Sequence, residues 1–181
     1  MLSVFYRGLQ QVKAQSFQSD HNVLKVTQYL GYLGLIPFVV PFGSMCVSAL
    51  SGAGIHSAAI WGLYAPYIFI TYSAIILSFL SGILWSKSRR LTETARSSFS
   101  LIFSNIIAVL AWITLLMINL SPLMMLFAVT LLLCGYASLL LAERAIDSEV
   151  EEAPYWQMRL LLTTLVIIMH SVILVLLIGD L

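Results

Sequence analysis

The chain has 181 residues, of which 60% are apolar and only 9% charged, with a formal net charge of +1 and a mean hydropathy of +0.97. A soluble domain carries about a quarter charged residues, and this little polar surface cannot wrap that much apolar surface, so a water-soluble fold is excluded. The near-neutral balance gives no reason to expect a nucleic acid or an acidic ligand, and the two cysteines are too few for a disulfide framework.

Residues 1–25 read as a cytoplasmic N-terminal segment. They lack the continuous apolar stretch and small-residue cleavage site of a secretory signal. Leu2, Phe5, Leu9 and Val12 recur at helical spacing with Arg7, Gln10, Gln11 and Lys13 between them. That is the pattern of an amphipathic helix lying in the membrane interface; a partly ordered tail is the alternative.

Residues 26–181 read as one all-α domain, a polytopic integral membrane helical bundle with five transmembrane helices. A hydrocarbon core about 30 Å thick takes roughly 20 apolar residues in a helix. Val26–Leu50, Ser57–Ser86, Ser97–Leu120, Pro122–Ile146 and Pro154–Gly179 meet this, with no charge in their central portions. The first span holds Gly31, Gly34, Pro37, Pro41 and Gly43; Pro37 removes a donor and crowds the carbonyl of Leu33, which predicts a kink or a broken helix. The second is long enough to demand tilt, with a kink at Pro66. Its Ala74, Ser78, Gly82 and Ser86 form a small-residue ridge, matched on the third span by Ser100, Ser104 and Ala108, which predicts a close contact between those helices. Ser121-Pro122 and Ala153-Pro154 open the fourth and fifth spans as a cap followed by proline at the first turn. Trp61, Tyr64, Tyr67, Trp85, Tyr155 and Trp156 fall at span ends, as an aromatic belt does.

With the N-terminus in the cytoplasm, Arg7, Lys13, Lys25, Lys87, Arg89, Arg90, Arg96, Arg144 and Arg159 all lie inside, which accounts for all nine Lys and Arg. The positive-inside rule then predicts an external C-terminus.

Gly34-Leu35-Ile36-Pro37-Phe38, the Tyr72 to Gly82 stretch, Trp85, Ala111-Trp112 and Tyr155-Trp156 with Arg159 and Leu162-Thr163 resemble the family of domain of unknown function 3429, which is transmembrane-protein-69-like. The family usually shows a Gly-Gly pair and a basic residue near the end of the second span, where this chain has Ser81-Gly82-Ile83-Leu84-Trp85. The resemblance implies a multi-pass protein of the bacterial inner membrane, with the mitochondrial inner membrane as the alternative. It implies no reaction.

No H-E-x-x-H, G-x-S-x-G or P-loop is present, and Arg144, Asp147 and Glu149 read as an ordinary charged loop rather than a catalytic cluster. The one polar feature at bilayer depth is a set of groups roughly 12–18 Å along their helices from the inner basic residues, at about 1.5 Å per residue. They are His170, Asn105, Ser78 and Tyr136, together with the break at Pro37. Arg159, Thr163 and His170 share a face of the fifth span, and Ser98, Asn105, Trp112 and Asn119 one of the third. An ionisable group inside a membrane normally faces the bundle interior. The binding residues expected are therefore His170, Asn105, Ser78, Tyr136, Arg159 and Thr163, with hydrogen bonding between helices as the plainer role. No cofactor or metal is expected. The expected partners are the lipid bilayer and either other membrane proteins or further copies of the chain, and the expected function is a structural, assembly or interaction role in the membrane. The alternatives are a small-solute or lipid- or quinone-binding carrier and, after it, an intramembrane enzyme.

Overall fold

The computed structural model describes residues 25–90, 94–118, 120–146 and 153–180. The amphipathic-helix reading of the N-terminal segment lies outside these residues, as do His21, Asn119, Asp147 and Glu149. Five helices are long and apolar enough to cross a membrane. The first span runs as α1 (residues 25–33) and α2 (Ile36–Leu50); the others are α3 (Ala65–Ser88), α4 (Thr94–Met117), α5 (Pro122–Ile146) and α6 (Ala153–Gly179). Neighbours in sequence pack side by side, α2 also touches α6, and α3 touches α5 across the middle. The all-α membrane bundle expected from the sequence is what the chain forms. Outward faces carry Ile102, Ile106, Val109, Leu116, Val172 and Val175, all apolar, which suits a lipid solvent that neither repels apolar groups nor satisfies polar ones.

Residues 57–64, read as the start of the second span, are not α-helical. Ile55–Ser57 forms a 3-10 turn, and Ala59–Ile60 (β1) pairs antiparallel with Leu63–Tyr64 (β2). Trp61 and Gly62 between them have φ of 51° and 80°. Two consecutive positive φ values fit the two-residue turn that matches strand twist. Pro66 consequently stands in the first turn of α3, where its missing donor costs nothing, and not at a kink. Asp180, at the end of α6, accepts a 2.9 Å hydrogen bond from the Ile55 amide and ties this hairpin segment to the bundle.

The first span is interrupted. Gly34 and Leu35 leave helical geometry between α1 and α2, and Pro37 falls in the first turn of the new helix. The Phe38 amide turns to the carbonyl of Leu35, and Gly34's carbonyl instead receives the Tyr72 hydroxyl of α3 at 2.9 Å. A protein donor thus satisfies the group that the break frees, as hydrocarbon requires.

The small-residue contact is only partly where the i+4 ridge placed it. Ser100 and Ser104 are buried, and Ala74 is too, but Ser78 is half-buried and Gly82 and Ser86 are exposed. Each four-residue step overshoots a full turn, so the ridge drifts about 40° per step around the helix and leaves the interface. A Cβ on Gly82 would meet nothing within 4 Å. The buried stripe of α3 is Ser73, Leu77, Leu80, Ser81, Leu84 and Ser88. The expected contact between α3 and α4 is nonetheless the most extensive between two helices, and a further close approach is made at Gly135 of α5, where a Cβ would lie 2.6 Å from Leu77 Cδ2.

Candidate functional site

α6 buries a stripe of Arg159, Thr163, Val166, His170, Ile173 and Leu177, spaced so that each falls about one turn from the last on a single face. α5 presents Val129, Leu132, Tyr136, Leu139 and Glu143 in the same way. Where the two stripes meet, Glu143 of α5 pairs with Arg159 of α6. Glu143 is 1% exposed and Arg159 8%; Arg159 Nε donates to Glu143 Oε2 at 3.1 Å and a terminal guanidinium nitrogen donates to Oε1 at 3.0 Å. This two-pronged pairing neutralises both charges inside the bundle.

Deeper, His170 Nδ1 lies 2.8 Å from the Val166 carbonyl, and Nε2 lies 2.8 Å from the Ser73 hydroxyl. A carbonyl only accepts, so Nδ1 carries the proton, and in the neutral ring Nε2 accepts the Ser73 hydrogen. The Tyr136 hydroxyl donates to the Ser73 carbonyl at 2.9 Å. Phe38, Phe69 and Tyr136 surround the imidazole with ring centroids 6.3, 4.7 and 5.5 Å away. α2, α3, α5 and α6 thereby meet at one residue, and both ring nitrogens already have protein partners.

The expected residues separate into two groups. His170, Tyr136, Arg159 and Thr163 belong to the α5–α6 stripes. Ser78 donates to the Ala74 carbonyl of its own helix at 2.9 Å. Asn105 is exposed and bonds its own helix at the Leu101 carbonyl, and Ser98 and Trp112 are exposed with it, so the seven-step face of α4 looks outward. Arg144 is exposed, beside the buried Glu143. Glu143 was not among the expected residues; its place seven positions after Tyr136 was the available signal.

The stripes flank a cavity of about 380 Å³ between α1, α2, α3, α5 and α6. Its walls are largely apolar, from Leu30, Leu35, Phe38, Ile76, Leu80 and Leu162 among others, with Thr27, Tyr136, Tyr155, Arg159 and Thr163 as the polar residues of the lining. Gly31 and Gly34 face it without side chains. Thr163 is 4% exposed, and its hydroxyl is the one buried side-chain polar atom without a partner among the described residues. His170 does not line the cavity, but its neighbours Phe38, Tyr136 and Val166 do. The volume falls within the roughly 300–1,000 Å³ of small-molecule sites, which are likewise mostly apolar with a few polar groups. No group of three or more metal-ligating side chains occurs among the described residues.

No curated protein and no solved structure matches the chain. Residues 23–175 match the family model described as protein of unknown function, DUF3429, and the chain belongs to that family.

Proposed function

We propose that this membrane protein binds a lipid-soluble amphiphile in the cavity between α1, α2, α3, α5 and α6. One observation carries the reading: a mostly apolar cavity of ligand size, about 380 Å³, lies among five helices with a few polar residues, Thr27, Tyr136, Tyr155, Arg159 and Thr163, in its lining. The cavity is what moves the reading from an assembly role to binding. The test is native mass spectrometry of the protein extracted in mild detergent, with the expected result a discrete added mass of one amphiphile per chain.

The orientation we propose is N-terminus cytoplasmic and C-terminus external, supported by the placement of all nine basic residues on one side. The cavity, whose lining includes Thr27 and Leu30 of α1 and Tyr155 and Met158 near the start of α6, then lies towards the cytoplasmic half of the membrane. Reporter fusions after Leu120 and at the C-terminus are expected to read external, and fusions near Lys87 to read cytoplasmic. A cytoplasmic C-terminus contradicts this orientation.

A further inference from the structure

Asn105 stands eleven residues after Thr94 and twelve before Met117, at the middle of α4, and it is exposed on the outer surface of the bundle. Its one hydrogen bond among the described residues runs from Nδ2 to the Leu101 carbonyl of its own helix, at 2.8 Å. A carboxamide has two N–H donors and an oxygen with two lone pairs. One donor and the acceptor oxygen are therefore left to hydrocarbon, which satisfies neither. No other carboxamide and no charged side chain is exposed at the middle of a span among the described residues.

The face around Asn105 is uncovered. α4 packs against α3 and α5, and on its other side Ser98, Ile102, Asn105, Val109, Trp112 and Leu116, all exposed, follow at alternating steps of four and three. That repeat keeps one seam of a helix against a parallel partner in a left-handed pair, and a polar residue at a single position of such a seam fixes its register. Whatever covers this seam must offer both a donor and an acceptor at the depth of Asn105, and a second copy does so with no further requirement. Copies of one chain insert in one orientation, so a two-fold axis along the membrane normal runs two α4 helices parallel and sets like residues opposite each other. We propose that the protein is a homodimer through α4, in which Nδ2 of each Asn105 donates its free hydrogen to Oδ1 of the partner's Asn105. α4 lines no part of the cavity, so this interface and the ligand reading stand or fall separately.

The experiment is sedimentation equilibrium of the purified full-length protein in density-matched detergent micelles. The wild type is expected to equilibrate between monomer and dimer. Asn105→Leu, which removes two hydrogen bonds between helices, is expected to raise the dimer dissociation constant at least about tenfold. Asn105→Gln, which keeps the donor and the acceptor, is expected to stay within about threefold of the wild type. Val109→Trp, the next position along the seam, is expected to abolish the dimer, and Val175→Trp, on the outward face of α6, to leave it unchanged. All four side chains lie outside the core, so each variant is expected to melt within a few degrees of the wild type. A wild type that stays monomeric over the whole concentration range, its α4 face covered by lipid or by a different protein, overturns the dimer. So does an unchanged dissociation constant in Asn105→Leu, or a dimer that Val175→Trp breaks and Val109→Trp spares.

Discussion

Arg159→Leu is expected to destabilise the bundle by about 3–5 kcal/mol, the largest single loss in this molecule. The reason is what remains behind. Glu143 is 1% exposed, and without the guanidinium its carboxylate stays in the bundle with neither water nor counter-charge. Losing the attraction matters less than stranding the charge, so the double variant Glu143→Leu with Arg159→Leu is expected to recover much of the loss, because it strands nothing. Thermal melts in one detergent, followed by circular dichroism, provide the comparison. Arg159→Leu melting with the wild type, or the double variant melting lowest of all, contradicts the account of the pair.

Phe38→Ala is the second large effect. The first span is the least buried of the five, and Phe38, Pro41 and Met45 are the buried residues of α2. Phe38 is 1% exposed and sets its ring edge-on against Phe69 at 5.7 Å and Tyr72 at 4.9 Å. Truncating it removes the aromatic contacts that pack α2 against α3 just below the helix break. The cost is expected at about 2–4 kcal/mol, towards the low side of phenylalanine truncations because lipid, not water, surrounds the helices. Val39→Ala is the control: its side chain faces outward, and the expected change is within about 0.5 kcal/mol. Equal melting of the two variants contradicts the anchoring role of Phe38.

Much of the architecture was legible because a bilayer imposes a simple rule on the chain. Every spanning segment must satisfy its own backbone, so hydropathy alone located five helices, and the bounds at Pro122–Ile146 agree with the structure. The cap at Ser121 is real too, its hydroxyl accepting from the Met124 amide at 3.2 Å. The start of the second span was misread for a local reason: residues 57–64 are apolar enough to continue a helix, and only the positive φ at Trp61 and Gly62 turns them into a hairpin.

Direction was legible on the fifth span, where Arg159, Thr163 and His170 share a buried face, and not on the third. Counting from the basic residues placed His170 and Asn105 at similar depths, but a helix shows its polar groups to the bundle or to lipid according to what packs around it. Asn105 bonds only its own helix. His170 has partners on α3 and α6. Glu143 escaped notice because it sits near the end of an apolar run beside Arg144, where surface charge is ordinary. Its burial follows from the arginine that α6 brings to it. The cavity had no sequence signal, since it arises from how five helices pack around the break at Gly34 and Leu35.

The most direct test is native mass spectrometry of the wild type beside Ile83→Trp, a change that puts an indole into the cavity from its α3 wall. The wild type is expected to carry one amphiphile per chain, and Ile83→Trp to lose it while melting within a few degrees of the parent. Equal retention of the same added mass by both proteins, or its absence from the wild type, contradicts the assignment of this cavity as a ligand site.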